Sequence, residues 1–203
     1  MIRRYERETP GELVHVDVKK LGRIQPGGGR RVHGRGAVRY STGQGYDYLH
    51  CAVDDYSRLA YVEAHRDEKA TTSAGFLRRA QAFYAQYGVS VQAVMTDNAK
   101  SYRSSLVFQQ TLAELDCRQL LTPFYHPQVN GKVEHFNRTL LEEWAYVRPY
   151  TSNGDRIRLL STWLHRYNYR RGHTALGGLA PSPRYCPPSA FSSRPTHGPP
   201  REP

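Results

Sequence analysis

The feature that most limits the folds open to this chain is a change of hydrophobic period near Ala70. Before it, apolar residues alternate. The run Leu13-Val-His-Val-Asp-Val18 sets Val14, Val16 and Val18 on one face and Leu13, His15 and Asp17 on the other, which is the period of a strand. Residues 46–53 and 59–64 read as two more strands joined by Asp54-Asp-Tyr-Ser-Arg58, a turn-forming stretch, so the chain starts as three antiparallel strands. After Ala70 the period becomes helical. Ala70, Ala74, Leu77, Ala80, Tyr84 and Tyr87 recur at steps of three and four before Gly88, and this helix is expected to cover one sheet face.

Residues 91–96 form a short apolar strand ending at Asp97-Asn98. A second helix over 104–115 turns Phe108, Leu112 and Leu115 inward, and 118–121 is a fifth strand. A Pro- and Gly-punctuated loop then leads to a helix from Lys132 to about Val147, with Val133, Phe136, Leu140, Trp144 and Val147 as its core stripe. Residues 155–169 repeat the pattern through Ile157, Leu160, Leu164 and Tyr167, with Ser152 or Asn153 as the cap. Arg156, Arg158, Arg166, Arg170 and Arg171 make the other side of that segment basic. Strands and helices mixed in this order predict an α/β domain.

At 203 residues the chain supports one ordinary core. The expected organisation is a connector over 1–11, a core over 12–150 with a basic loop at 21–45, a basic helix and Pro/Gly-rich extension over 151–188, and a disordered tail over 189–203. With 29 Lys+Arg against 18 Asp+Glu the formal charge is +11, which points to a polyanionic partner, nucleic acid. The loop at 21–45 carries Arg23, Arg30, Arg31, Arg35 and Arg39 and no acidic residue, a composition suited to bidentate phosphate contacts. Cys51, Cys117 and Cys186 are too far apart for a disulfide framework or a thiolate zinc site, and none of the nine histidines has zinc spacing. No apolar run approaches a bilayer span and the first residues lack a signal-peptide core. The expectation is a soluble cytoplasmic protein associated with the nucleoid.

Asp17 in the first strand, Asp97 after the fourth and Glu134 on a later helix converge only if the sheet sets those two strands side by side. Three carboxylates gathered there would repel one another unless cations neutralised them, and hard oxygen donors suit magnesium or manganese. Glu134 and Arg138 lie one above the other at the margin of the helix stripe. Asp54 and Asp55 read as turn residues. His126 lies on the loop before the helix, where it serves either a structural hydrogen bond or a phosphate.

The stretches Val16-Asp17, Asp54-Asp-Tyr-Ser-Arg58, Met95-Thr-Asp-Asn98 and Tyr125-His-Pro-Gln-Val-Asn-Gly-Lys-Val-Glu-His-Phe-Asn-Arg138 together resemble the catalytic core of insertion-sequence transposases related to retroviral integrases, the group with an Asp, Asp, Glu triad. Thirty-six residues, 98 to 133, separate Asp97 from Glu134, close to that family's interval. The resemblance runs from about 12 to 183, with Ala99 where relatives often have Gly and His135 where they often have Arg. It implies a ribonuclease-H-like fold: a five-stranded mixed sheet, three antiparallel strands then two parallel additions, flanked by helices. It also implies metal-dependent DNA phosphodiester hydrolysis and strand transfer, with Asp17, Asp97 and Glu134 holding two Mg2+ or Mn2+ ions. Asn130, Lys132 and Arg138 would then hold DNA beside them, with Arg30, Arg31, Arg35, Arg158, Arg166 and Arg170 as outer contacts. The implied partners are double-stranded DNA, as element ends and target, and further copies in a homodimer or larger assembly. Relatives carry helix-turn-helix modules ahead of the core, so the resemblance implies a fragment or a separately encoded core. Two other readings stay open: a non-catalytic DNA-binding remnant, and a nuclease without strand transfer.

Overall fold

The computed structural model describes residues 6–34, 44–123 and 131–182. Strands β1 (Val14–Gly22), β2 (Tyr46–Asp54) and β3 (Ala60–His65) form an antiparallel meander. Helix α2 (Ala70–Ala85) then carries the chain across the sheet to β4 (Ala93–Thr96), which lies parallel to β1 on the side away from β2. β5 (Arg118–Leu121) adds parallel to β4, and the order is β3-β2-β1-β4-β5. This is the five-stranded mixed sheet that the family resemblance implies.

The sheet has a core on each face because its strands alternate. Val14, Val16, Ala52 and Val94 pack under α2 and α4 (Leu106–Glu114), against Phe76, Leu77, Tyr84, Phe108 and Leu112. Leu49, Cys51, Val53, Ala60 and Val62 meet the other layer, built from α5 (Gly131–Leu140), a π turn (Leu141–Ala145) and α7 (Leu160–Tyr169). There Phe136, Trp163 and Tyr167 contact one another with ring centroids 5.0 to 6.0 Å apart. Burying each such ring contributes roughly 2–3 kcal/mol, with up to about 1 more from ring geometry. Leu13, Ala93 and Met95 make a smaller cluster on that same face. Among the described residues no helix is long and apolar enough to cross a membrane.

Four local features depart from the expected elements. β1 runs past Val18 to Gly22, paired with β2 as far as Gly22 with Tyr46, so residues 21 and 22 belong to the sheet and not to the basic loop. Lys19 and Lys20 interrupt the apolar alternation there, and Lys20 lays its ammonium 4.1 Å from the Tyr46 ring centroid. Farther along the same loop, Arg30–His33 form the short helix α1. Second, the α-helical bonds of α5 stop at Leu140 and the π turn widens the next five residues. That extra residue per turn shifts the phase, so Val133, Phe136, Leu140 and Trp144 are buried while Val147 is 60% exposed. Third, Arg156 on α6 (Asn153–Arg158) is buried, not on a basic face: Nη2 donates to the Gly22 carbonyl and to Asn153 Oδ1, both at 2.8 Å. Ser152, not Asn153, caps that helix, its hydroxyl accepting from the Asp155 N–H. Fourth, buried Asn168 on α7 pairs its side-chain amide with the backbone of edge strand β3, accepting from Ala60 N at 3.0 Å and donating to Ala60 O at 2.8 Å.

Candidate active site

Asp17 and Asp97 meet because of register. Val14 pairs with Val94 and His15 with Met95; that offset of 80, carried two residues past the last pair, brings Asp17 level with Asp97, which is close enough to repel it. β4 ends at Thr96 while β1 continues to Gly22, so both carboxylates stand where the strands part. Sites assemble at such carboxyl ends in open α/β sheets. Asp97 is exposed and Asp17 half-buried. Burial pushes the Asp17 carboxyl above its ordinary range, Asp97 adds to this by repulsion, and the Val18 N–H and the Asn137 amide oppose it. Burial first, and then Asp17 and Asp97, also push up the hydroxyl of buried Tyr102 on α3 (Lys100–Arg103).

The loop after β4 is pinned. Asp97 Oδ1 accepts from Ala99 N at 2.9 Å, and Asn98 Nδ2 donates to the Thr122 carbonyl at 2.8 Å. Ala99 has φ −58°, an ordinary value, so the position does not require the Gly common among relatives.

Glu134 is exposed in the first turn of α5. One turn later buried Asn137 donates to Asp17 Oδ2 at 2.6 Å, which docks the helix on β1. Asn137 was missed by the sequence reading, although its i+3 spacing from Glu134 carried the signal. Among the described residues, no three His, Cys, Asp or Glu side chains lie close enough together to share a metal ion. The donor chemistry nonetheless fits a hard divalent cation. Asp97 repels Asp17, the Asp17 carboxyl is pushed toward its protonated form, and among the described residues buried Asn137 Oδ1 has no hydrogen-bond partner.

The two turn aspartates differ. Asp54 is a turn residue, accepting from Ser57 N at 2.7 Å, Ser57 Oγ at 2.8 Å and Gly11 N at 2.8 Å. Gly11 has φ +83°, and a Cβ there would stand 2.4 Å from the Ser90 carbonyl oxygen, so this junction needs glycine. Asp55 is more than a turn residue. Its Oδ1 accepts from His15 Nε2 at 2.8 Å, and its Oδ2 lies 2.7 Å from Arg7 N and 2.5 Å from Lys132 Nζ. Burial pushes the Asp55 carboxyl up, but the His15, Lys132 and Arg7 hydrogen bonds outweigh it and hold it well below the usual carboxylate range. His15, Asp55 and Lys132 form one wall of a cavity of about 1090 Å³ that is also lined by Leu13, Met95 and His173.

Lys132, expected beside DNA, is therefore engaged by Asp55. Arg138 is exposed, and its Nη2 donates to His135 Nδ1 at 3.0 Å. Arg30 is exposed on α1, and Arg31 hydrogen-bonds the Tyr146 carbonyl with its guanidinium 5.2 Å from that ring centroid. Arg158 is paired with Asp155, while Arg166 and Arg170 are exposed one turn apart on and just after α7. Asn130, Arg35, Arg39, His126, Cys186 and the expected tail at 189–203 lie outside the described residues.

Two models, each described as an integrase core domain, match residues 7–127 and 115–181. The chain is 33% identical over 132 residues to the Gag-Pol polyprotein of avian reticuloendotheliosis virus, covering 65% of this chain and 11% of that one. It is 30% identical over 89 residues to an uncharacterized protein of insertion element IS136 from Agrobacterium fabrum, covering 43% and 44%. The chain thus spans less than half the length of either relative. Among solved structures, the simian T-cell lymphotropic virus intasome superposes with TM-score 0.65 at 21% identity, covering all of this chain and 63% of that chain. The HTLV-2 integrase catalytic core domain in complex with magnesium gives 0.53 at 17%, covering 81% and 91%. These likenesses make the fold ribonuclease-H-like. The first family model alone covers more than half of the 203 residues, and the chain belongs to the integrase core domain family.

Proposed function

We propose that this integrase-type core is the catalytic domain of an insertion-sequence transposase, which hydrolyses the phosphodiester at an element's end and joins the freed 3′-hydroxyl to target DNA. The observation that carries the reading is the side-by-side placement of Asp17 and Asp97 at the open end of β1 and β4, with Asn137 docking the Glu134 helix on Asp17. Asp17, Asp97 and Glu134 would hold two magnesium or manganese ions. When bound, such ions activate the attacking oxygen and stabilise the leaving one. The chain's own part is positional. Asn137 holds Asp17 Oδ2 in one orientation, and the Ala99 N–H fixes Asp97. Arg138 and Arg30, with Arg35 and Asn130, would meet phosphates near the cleft, and Arg158, Arg166 and Arg170 would extend the contact along the duplex. The insertion-element relative and the magnesium-bound integrase core support this reading. A second copy of the chain would handle the second element end, and a helix-turn-helix module would recognise the terminal sequence.

The spread of the three acidic side chains in the described residues favours one other reading, a non-catalytic DNA-binding protein. An end-bearing duplex labelled at its terminus, incubated with Mn2+, separates the two. Parent protein should nick it and join it to target, Asp97→Asn should do neither while still binding DNA, and equal nicking by both proteins rejects the assignment. Hydrolysis without a joined product would leave a nuclease.

A further inference from the structure

The cluster of His15, Asp55 and Lys132 is not accounted for by metal binding or by DNA contact. Its atoms tie three distant parts of the chain together. Asp55 follows the end of β2, and its N–H donates at 2.9 Å to the carbonyl of Leu13, the residue that leads into β1. Its carboxylate spans His15 on β1 and Lys132 on α5 at 2.8 and 2.5 Å, and Lys132 Nζ also donates to the Asp55 carbonyl at 3.2 Å. The Asp55 side chain is 3% exposed and that of Lys132 20%, so water screens the pair far less than it would at a surface. Lys132 lies two residues before Glu134, and the next residue, Val133, is fully buried.

We propose that the Asp55–Lys132 ion pair, braced by His15, is a positioning device that fixes the first turn of α5, and with it Glu134, against the strand bearing Asp17. Helix α5 is then held at two points about 140° apart around its axis. Lys132 anchors the first turn, which also carries Glu134, and Asn137, on Asp17, anchors the next. With Asn137 alone the helix end frays, because first-turn N–H groups lack intrahelical partners. Lys132 acts through Glu134 and is a positioning residue; the inference rests on the reading of Glu134 as a metal ligand. A displacement of about 1 Å in a group that must meet a reacting centre costs on the order of 100-fold in rate.

The test follows the Mn2+-dependent rise in melting temperature, which reports binding to the folded protein without turnover. Lys132→Met, which leaves the buried Asp55 carboxylate without its cation, should melt below the parent without metal and should also need about tenfold more Mn2+ for half of its own stabilisation, in line with the cost of a loosened ligand-supporting contact. Lys132→Arg should restore the parent response, and Asp55→Asn should reproduce the Lys132→Met shift. Adding Lys132→Met to Glu134→Gln should bring no further loss, because both changes act through one carboxylate. If Lys132→Met does not fold, Lys132→Gln, which keeps a polar side chain but removes the charge, serves the same comparison. A Lys132 variant that takes up Mn2+ as the parent does, while Glu134→Gln does not, overturns the inference, as does equal loss in both backgrounds or an effect on DNA affinity alone. An unchanged Mn2+ response in Glu134→Gln instead overturns the metal reading itself, and the inference with it.

Discussion

Two carboxylates that repel each other should make the protein without added metal less stable than it could be. Asp97→Asn measures that cost while keeping the shape of the loop, because an asparagine oxygen can still accept from the Ala99 N–H. The spacing of adjacent strands, about 4.8 Å, is taken as the separation of the two carboxylates, roughly 5 Å. Their repulsion is then about 3 kcal/mol at an effective dielectric of about 20 and about 1 kcal/mol in water. Asp97 is exposed, so the lower figure applies, and for a chain of this size about 1 kcal/mol moves the melting temperature by about 2–4 °C. The Asp97→Asn protein should therefore melt higher than the parent at pH 7 and low salt without metal. The sign depends on pH. The folded pKa of Asp17 is raised above 3.8, so the stability of its protonated form is complete below 3.8 and is lost as pH rises through the raised value. The variant's advantage should accordingly appear in that window and vanish on acidification, and high salt should shrink it. Saturating Mn2+ should reverse the order, since only the parent gains fully from binding. Calorimetry across pH, salt and Mn2+ reads all of this. An unchanged or lowered melting temperature at pH 7 would show that Asp17 and Asp97 do not feel each other, and the register argument would fall.

Two further outcomes are expected. Burial first, and Arg171 next, lower the pKa of His173 from 6.5 to about 4. Its neutral form therefore contributes stability that is present above pH 6.5 and lost as pH falls toward 4. Between pH 6.5 and 5 the parent should lose about 2 kcal/mol through this group. Urea titrations of His173→Gln should show a flatter profile, and parallel profiles would refute the assignment. Replacing Arg166 and Arg170 together with Ala should lower the slope of log K against log salt for duplex DNA by about 1.8. An unchanged slope would remove that face from the DNA path.

The sheet was legible because its strands carry their own signal: alternation at Val14, Val16 and Val18 needs no partner to be read. The pairing of Asp17 with Asp97 was legible only as a condition on topology, and the crossover through α2 satisfied it. What escaped was long-range. Asp55 looked like a turn residue because its neighbours in sequence say so, whereas its binding partners His15 and Lys132 lie 40 and 77 positions away. Arg156 looked basic and exposed because its acceptor on Gly22 comes from 134 residues back. Val147 looked apolar and inward because a 3.6-residue period gives no warning of a π turn. Asn137 was hidden inside a motif read for its charges, although its uncharged amide makes the contact that docks the helix.

The amide of Asn168 on Ala60 also bears on how copies of this protein can associate. An open sheet edge invites strands from other molecules, and β3 is one of the two edges here. By occupying both the N–H and the carbonyl of Ala60, Asn168 stops an incoming strand at the first residue it would have to pair. A strand added at this edge could then pair only with the residues of β3 that follow Ala60.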